Sequence, residues 1–318
     1  MLTDKYRPIK LEDIVGQKDI TKSISNLIKE ENIPSMLFVG PPGCGKTTIA
    51  WIIARERFPN SWKADMIEYN ASDERGIAIV RNDIKPRAMS KGSKIIFLDE
   101  VDNMTHDAQA ALRRIMEDAP NTIFILSANR EHKLMDAIKS RCAIYRFNKI
   151  SEDLIYQFLI DILKKENIKP IGEKEDIVKS LKALAKSVNG DLRSALNTLE
   201  SVATSGKFNP EDVAMIEKPH HIHTAFNAAL KGNIGHAKQL FEDAFLVGNY
   251  TDEQLLEEFF DAIDKADTTN EVKARLYIQL REIDDALARG GTPLIQFLGY
   301  LYFVYVAPHL KGVFNNEV

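Results

Sequence analysis

Residues 40–47 read Gly40-Pro41-Pro42-Gly43-Cys44-Gly45-Lys46-Thr47, and this stretch decides the fold. It fits the pattern G-x-x-x-x-G-K-[ST] at every fixed position. The apolar run Met36-Leu37-Phe38-Val39 precedes it and suits a buried strand, and residues 48–54 can continue as a helix. A strand, a glycine-rich loop and a helix in this order are the context that a phosphate-binding loop requires.

The residue types in this loop predict a nucleotide site. The glycines allow backbone N–H groups to turn inward around a phosphate, and the helix N-terminus adds its partial positive charge. Lys46 would reach the β- and γ-phosphates, and Thr47 would offer its hydroxyl group to Mg²⁺. The alternative is a glycine-rich turn without a ligand, which the full motif in this context disfavours.

A second motif, Lys94-Ile95-Ile96-Phe97-Leu98-Asp99-Glu100-Val101-Asp102, combines a buried strand with acids at its end. In a parallel α/β sheet, the carboxyl ends of the strands line the ligand crevice. We expect Asp99 to hold Mg²⁺, directly or through water, and Glu100 to polarise the attacking water. Adjacent side chains on a strand face opposite sides, so the two acids can take different roles. The alternative is a strand followed by a charged turn.

Three further polar residues follow predicted elements. Asn129 ends the apolar run 122–128 and could orient water or touch the γ-phosphate, or could simply close a strand turn. Arg193 comes just after Asp191, a plausible helix N-cap. A cation in the first turn of a helix opposes the helix dipole, which hints that Arg193 serves an anion. Arg141 stands alone in a loop before a strand, and its spacing gives it no function.

The interval from Arg75 to Lys94 is the clearest basic patch. A helix is expected to begin near Gly76 and to be disturbed at Pro86, which has no N–H group. Two interpretations stay open for the patch, a solvated surface or a track for nucleic-acid phosphates. Its basic residues are Arg75, Arg81, Lys85, Arg87, Lys91 and Lys94.

Composition limits the classes of function. The 318 residues carry a formal net charge of −4, so nucleic-acid binding would need a local basic patch. The two cysteines are Cys44, inside the loop, and Cys142, so we expect a reducing compartment and no structural disulfide or four-cysteine zinc site. The N-terminus has no apolar signal region, and the apolar run 294–307 is too short to span a bilayer. A soluble intracellular protein without membrane contact is expected.

The pattern of the chain changes after Ile150. Strand-like runs stop there, and helical periodicity continues to the end. Residues Glu217-Lys218-Pro219 mark a second boundary. We therefore expect three domains, comprising residues 1–150, 151–216 and 217–318.

These motifs together carry a family resemblance that covers almost the whole chain. The stretches are Lys5-Tyr6-Arg7-Pro8, Val15-Gly16-Gln17, the loop from Gly40 to Thr48, Asn70-Ala71-Ser72-Asp73, Asp99-Glu100-Val101-Asp102, Ala111-Leu112-Arg113-Arg114, Ser140-Arg141-Cys142 and Gly190-Asp191-Leu192-Arg193. In this combination the chain resembles the AAA+ ATPases, and within them the clamp-loader small subunits of archaeal and eukaryotic replication factor C. The absence of zinc cysteines separates it from the similar bacterial loader subunits.

The resemblance implies a fold and roles for the site residues. The fold would be α/β, a P-loop AAA+ domain with a doubly wound parallel sheet, followed by a three-helix lid and an all-α collar that oligomerises. Arg141 would be an arginine finger that acts on ATP held by the neighbouring subunit. Asn129 would be the first sensor, Arg193 the second, and Asn70 the residue that can hold Glu100 in an inactive pose. The implied wall around adenine and ribose consists of Tyr6, Arg7, Pro8, Val15 and Gly16.

The resemblance also implies partners and a setting. The chain would belong to a loader, expected to be pentameric, that consists of a large subunit and copies of the small subunit. This loader would bind ATP, Mg²⁺, a PCNA-type sliding clamp and primer–template DNA. Its DNA contacts would be Arg81, Lys85 and Arg114, although Pro86 is not expected in that helix. The location would be the nucleoid-associated cytoplasm of an archaeon, or the nucleus of a eukaryote. The alternatives are another AAA+ ATPase that remodels DNA or protein, and a nucleotide-bound scaffold that does not hydrolyse ATP.

Overall fold

The structure, a computed structural model, describes residues 1–30, 32–72, 76–203, 206–210, 212–213, 221–248 and 250–309, without the side chains of residues 221, 247, 248 and 253. The chain divides into two compact units, Met1–Glu217 and Lys218–Val318. Within the described residues, no helix is both long enough and apolar enough to span a membrane. The finer division into domains 1–150, 151–216 and 217–318 stays a prediction.

A five-stranded sheet forms the centre of the first unit. Its strands are β1 Met36–Val39, β2 Met66–Asn70, β3 Lys94–Asp99, β4 Thr122–Ala128 and β5 Ala143–Arg146. They pair in the order β2-β3-β4-β1-β5, and every pairing is parallel. The middle strands are continuous apolar runs because a parallel sheet is covered on both faces. The α/β sheet predicted from the sequence is confirmed.

The two faces of the sheet pack into separate cores. Leu37 of β1 joins the core that contains Leu98, whereas its neighbour Phe38 joins the core that contains Phe97. Successive side chains on a strand point to opposite faces, which explains this division. The helices that cover the sheet are α2 Lys18–Leu27, α3 Lys46–Arg57, α4 Trp62–Asp65, α5 Ile77–Ile79, α6 Lys85–Ala88, α7 His106–Asp118 and α8 Asp136–Lys139.

Pro86 is accommodated by a local change of helix type. Residues Val80–Ile84 form a π-helical turn between α5 and α6, and the N–H of Lys85 donates to the carbonyl of Val80. A proline ring would collide with the carbonyl four residues earlier in a regular α-helix. The wider π-helical turn moves that carbonyl aside, so the segment stays helical up to Ala88.

Three helices and a small strand pair complete the first unit. The helices are α9 Glu152–Lys165, α10 Lys174–Ser187 and α11 Leu192–Val202, as the apolar periodicity predicts. The prediction that strands stop after Ile150 is wrong, because Lys169–Pro170 and Lys207–Phe208 pair in parallel as β6 and β7. The start of the chain forms a short helix α1, Leu2–Lys5.

The second unit is helical throughout its described residues. Its core is rich in aromatic side chains, and the rings of Phe259 and Phe297 stack with centroids 5.4 Å apart. The buried Tyr300 hydroxyl donates to the carbonyl of Leu276 at 3.0 Å, which satisfies its hydrogen-bonding requirement. The helices are α12 His221–Leu230, α13 Ile234–Gly248, α14 Asp252–Lys265, α15 Asn270–Ala288 and α16 Pro293–Val306.

Candidate functional site

The glycine-rich loop between β1 and α3 has the backbone of a phosphate cradle. Gly43 and Gly45 adopt φ values of 66° and 104°, a region that side-chain-bearing residues rarely enter. Helix α3 begins at Lys46, directly after Gly45. The N–H groups of its first turn are therefore free of helical partners and are available to an anion.

Lys46 lies buried at the centre of this loop. Its ammonium group donates to the carbonyls of Gly40 at 2.6 Å and Pro41 at 2.8 Å, and to Asn129 Oδ1 at 2.9 Å. Burial lowers the pKa of Lys46, while nearby acids, Asp99 among them, act in the opposite direction. The loop thus holds a cation in place, and Asn129 lies in contact with it.

Thr47 and Asp99 bring two oxygen ligands together. The Thr47 hydroxyl donates to Asp99 Oδ2 at 3.0 Å. The other oxygen, Oδ1, accepts from the Ser127 hydroxyl and from the N–H of Glu100 at 3.1 Å. Hydroxyl and carboxylate oxygens are the hard donors that Mg²⁺ prefers, so this pair fits the predicted metal.

The backbone of Glu100 has a left-handed conformation, with φ 57° and ψ 42°. For a residue other than glycine this conformation costs about 1–3 kcal/mol, and such strain concentrates at functional sites. The Glu100 N–H also donates to Ser127 Oγ at 3.1 Å. The strained turn aims the carboxylate away from the direction it would take in a regular strand.

Two side chains that the sequence did not indicate hold the Glu100 carboxylate. The Ser72 hydroxyl donates to Glu100 Oε2, and the Asn103 amide donates to the same oxygen at 3.1 Å and to Ser72 Oγ at 2.7 Å. Asn70, which the resemblance placed here, instead accepts from the N–H of Ser72 at 2.9 Å. The role of Asn70 toward Glu100 stays a prediction.

A pocket opens in front of the loop, and most of the predicted nucleotide residues line it. Asp99, Glu100, Asn129 and Arg193 are all part of its wall. The other predicted lining residues are Tyr6, Arg7, Pro8, Val15, Pro42, Gly43, Cys44, Gly45, Lys46, Thr47 and Thr48. Gly16, Gly40, Pro41, Asn70 and Arg141 are not among the residues that line it.

Apolar side chains that the sequence did not assign to the site complete the pocket. They are Ile14, Ile150, Phe158, Leu192 and Leu196. Phe158 lies on α9, and Leu192 and Leu196 lie on α11, so the helices after Ile150 form one wall. An apolar wall facing a cationic loop suits a ligand with a flat ring at one end and phosphates at the other.

The N-terminal segment is attached to the helices that follow Ile150. Tyr6 donates its hydroxyl hydrogen to Glu166, and Lys5 forms an ion pair with the same carboxylate at 2.6 Å. Desolvation and this contact raise the pKa of Tyr6 to about 12, whereas the bonds from Lys5 and Tyr6 lower the pKa of Glu166. At the other end of α1, the N–H of Leu2 donates to Glu200 Oε1 at 3.2 Å.

Arg7 is fixed by an aromatic side chain. Its guanidinium group lies over the ring of Trp51, 4.3 Å from the centroid. The Trp51 indole N–H donates to Glu68 Oε2 at 3.0 Å, and burial raises the pKa of Glu68. This contact between α3 and the segment before α2 keeps Arg7 at the wall of the pocket.

Helix α11 approaches the loop through its N-cap. The Asp191 side chain accepts from the N–H of Ser194 at 2.9 Å, as expected for an N-cap. A Cβ atom placed on Gly43 would lie 1.8 Å from Asp191 Oδ1. Arg193, two residues further on, therefore enters the pocket from the side of α11.

Arg141 is held outside the pocket. One guanidinium nitrogen donates to the carbonyl of Ala137 at 2.7 Å, and the other donates to the carboxylate of Glu117 on α7. The Arg141 side chain retains 32% of its surface in contact with solvent. Arg141 therefore lies at the surface and does not line the pocket of its own chain.

The basic surface differs from its prediction in one residue. Arg81, Lys85 and Arg114 are exposed, and Arg87 is paired with Asp83 at 3.7 Å. Lys94 does not belong to this surface, since it is buried and donates to the carbonyls of Arg87 at 3.1 Å and Ser90 at 2.8 Å. It caps the C-terminal end of α6, where its ammonium group donates hydrogen bonds to carbonyls that have no partner within the helix. Arg75 lies outside the described residues.

Two protein families match separate parts of the chain. The ATPase family associated with various cellular activities (AAA) matches residues 36–149, which contain the loop and the sheet. The replication factor C C-terminal domain matches residues 217–302.

Similar proteins cover nearly the full length. Replication factor C small subunit of Archaeoglobus fulgidus is 36% identical over 95% of this chain and 96% of its own. Those of Halobacterium salinarum and Methanocella arvoryzae are 35% and 37% identical, each over 92% of both chains. This chain belongs to the replication factor C small subunit family. It is accordingly an ATPase with a clamp-loader role in DNA replication.

Solved structures agree with this family at the level of the fold. The Holliday junction branch migration motor RuvB of Thermotoga maritima aligns with a TM-score of 0.57 and 16% identity, over 80% of this chain and 92% of its own. At this identity the likeness shows the AAA+ fold alone.

Proposed function

We propose that this replication factor C subunit binds ATP with Mg²⁺ and hydrolyses it at a subunit interface to load a ring-shaped sliding clamp onto primer–template DNA. The observation that carries the proposal is the convergence of Lys46, Thr47, Asp99 and Glu100 on one pocket, while Arg141 stays outside it. A site with this composition has every group needed for phosphoryl transfer to water except a cation that a neighbour would supply.

The loop residues bind the phosphates in this proposal. Backbone N–H groups from Gly43 to Thr48 surround the β-phosphate, and the Lys46 ammonium group exchanges its carbonyl partners for phosphate oxygens. Asn129, which accepts from Lys46, contacts the γ-phosphate beside it. Its position is supported from behind, because Asp102 accepts from the N–H groups of Asn129 at 3.2 Å and Arg130 at 3.1 Å.

Thr47 and Asp99 are the residues that would hold Mg²⁺. A bound Mg²⁺ would neutralise charge on the β- and γ-phosphate oxygens. Ser127 and the N–H of Glu100 keep Asp99 Oδ1 occupied, so that Oδ2 faces Thr47.

Glu100 polarises the attacking water, which adds to the γ-phosphorus as the bond to the β-phosphate oxygen breaks, leaving ADP and phosphate. Ser72 and Asn103 hold the carboxylate until the site is complete, and Asn70 supports Ser72 through the Ser72 N–H. Arg193, from α11, contacts the γ-phosphate. Through this contact, the position of the three helices α9, α10 and α11 depends on the state of the nucleotide.

The base and ribose lie against the N-terminal segment. Tyr6, Arg7, Pro8 and Val15 form one side of this wall, and Gly16 turns the chain behind it with a φ of 78°. Ile150, Phe158 and Leu196 form the opposite, apolar side. A flat, uncharged ring between two such surfaces is stabilised by burial and stacking.

Other surfaces serve the partners. Arg81, Lys85 and Arg114 contact DNA phosphates, which gives affinity without reading the base sequence. Residues 151–216 act as a lid, and residues 217–318 form a collar that joins this chain to the large subunit and to further copies. The assembly is expected to be a pentamer located in the nucleoid-associated cytoplasm of an archaeon.

The deciding experiment is a clamp-loading assay on circular primed DNA, with and without a large subunit. We expect ATP-dependent retention of the clamp on the circle, and its release when the circle is cut. Loading without ATP, or turnover that neither primed DNA nor clamp stimulates, would contradict the proposal and favour another type of AAA+ remodelling ATPase.

A further inference from the structure

Glu117 lies at an unfavourable place in its own helix. It is the last residue but one of α7, His106–Asp118, and no basic residue stands in the last turn of that helix. A carboxylate at a helix C-terminus is opposed by the helix dipole. The sequence also places Glu117 outside the apolar stripe of α7, so packing does not require it.

The partner of this carboxylate is Arg141. The two side chains form an ion pair, and they keep 39% and 32% of their surfaces exposed, Glu117 and Arg141 respectively. Pairs that are this exposed contribute little to the stability of a fold. The contact therefore has a larger effect on the orientation of Arg141 than on the folding of the chain.

Two anchors from different elements hold the guanidinium group. Glu117 on α7 binds one terminal nitrogen, and the carbonyl of Ala137 on α8 accepts from the other at 2.7 Å. The Ser140 hydroxyl is a further, longer contact at 3.5 Å. An arginine has five N–H donors, so these contacts leave at least two for another acceptor.

We propose that Glu117 is a positioning residue for Arg141, which it holds on the surface in the orientation that contacts the phosphates of ATP in the neighbouring subunit. The inference rests on the proposed role of Arg141 in hydrolysis. A free arginine side chain loses rotamer entropy when it is ordered against a phosphate. Glu117 and Ala137 order the Arg141 side chain before it meets the phosphate, so the loss of rotamer entropy adds less to the activation free energy of hydrolysis.

The test compares four variants of the full chain, assembled with its loader subunits and supplied with clamp and primed DNA. Glu117→Gln removes the charge but keeps the size of the side chain, and Glu117→Asp keeps the charge with a shorter reach. Asp136→Asn is the matched control, because Asp136 lies on α8 close to Arg141, is 97% exposed and pairs with Lys139. Arg141→Ala tests the underlying role of the arginine.

We expect Glu117→Gln to lower kcat about ten-fold with KM for ATP within about two-fold, the pattern of a lost transition-state contact. Glu117→Asp should recover part of the loss, and Asp136→Asn should behave like the unchanged chain. The inference is wrong if Glu117→Gln keeps or raises kcat, if it changes KM alone, or if Asp136→Asn loses as much activity. Unchanged turnover in Arg141→Ala would instead overturn the proposed role of Arg141 itself. Thermal unfolding of each variant checks that the fold is retained.

Discussion

Asp191 and Gly43 are in direct contact, and the contact joins the N-cap of α11 to the phosphate-binding loop. A Cβ atom on Gly43 would lie 1.8 Å from Asp191 Oδ1 and 2.3 Å from its carboxyl carbon. Two separate constraints therefore require glycine at position 43. Its φ is 66°, and the space that a side chain would need is occupied by Asp191.

Gly43→Ala should destabilise the fold more than Gly45→Ala. Both glycines have positive φ, but a Cβ atom on Gly45 would meet nothing nearer than Ile14 at 4.0 Å. Backbone strain alone costs about 1–2 kcal/mol, and we expect the collision with Asp191 to raise the loss for Gly43→Ala to about 3 kcal/mol. Chemical unfolding of both variants measures the difference.

A double-mutant cycle identifies the cause of that loss. Asp191→Ala removes the carboxylate and also an N-cap, which costs about 1 kcal/mol by itself. If the collision dominates, the variant with both changes is more stable than the sum of the single losses predicts. If the losses in the free energy of unfolding are strictly additive, the alanine introduced at position 43 and Asp191 do not clash.

Glu166→Gln should weaken ATP binding without removing it. The change loosens Tyr6, which lines the pocket and donates to Glu166. We expect the Kd for ATP to rise about three- to ten-fold at pH 7, as for the loss of one charge-assisted contact. Glu200→Gln is the control, because Glu200 binds the N–H of Leu2 at the far end of α1 and does not contact Tyr6.

The same contact predicts a dependence on pH. Lys5 and Tyr6 bind the ionised carboxylate, so the folded pKa of Glu166 lies below its ordinary value of 4.5. The stabilisation is fully present above that value and is lost as the pH falls through the lowered pKa. The affinity difference between the unchanged chain and Glu166→Gln should therefore be fully present above pH 4.5 and shrink as the pH falls through the lowered pKa. A difference that appears only below pH 4.5 and is absent at pH 6 would contradict the assignment.

The sequence predicted the central strands well, and the reason is physical. Buried parallel strands such as β1 and β3 are uninterrupted apolar runs bounded by turn residues, which few other structures produce. The four residues of α1 and the two-residue strands β6 and β7 are too short to show any period. They form through contacts with distant segments, such as that between Leu2 and Glu200.

The sequence predicted the site residues that stand in continuous motifs, but not the residues that pairing of distant segments brings to the site. Lys46, Thr47, Asp99 and Glu100 stand in continuous motifs. Ser72 reaches Glu100 because β2 pairs with β3 in a register that sets Asn70 beside Asp99, and the order of the strands was not readable from the sequence. The contacts of Lys94 depended on the turn between α6 and β3 in the same way.

The exposed basic residues and Lys94 should respond differently to mutation. Alanine at Arg81, Lys85 or Arg114 should weaken DNA binding by the assembled loader and lower the slope of log affinity against log salt by about one each. Lys94→Met should leave that slope unchanged and lower the melting temperature, since it removes a buried helix cap. An equal slope change in Lys94→Met would place Lys94 on the DNA surface after all.

Glu100→Gln should separate ATP binding from hydrolysis. The amide keeps the size of the side chain but cannot accept a proton from water, so we expect turnover to fall about a hundred-fold or more. ATP affinity should change little, because Lys46 and the loop backbone are untouched. Single-turnover hydrolysis and equilibrium binding on the same preparation check both parts, and normal turnover would remove Glu100 from the catalytic role.

The central claim is that ATP is bound by one subunit and that its hydrolysis is completed by Arg141 of the next. The most direct measurement is Arg141→Ala, followed as ATP turnover in the assembled loader and as ATP binding by the isolated chain. We predict that turnover falls about a thousand-fold or more, while the Kd of the isolated chain stays within about two-fold. Loss of ATP binding by the isolated variant would contradict the claim, because it would show that Arg141 acts on the site of its own chain.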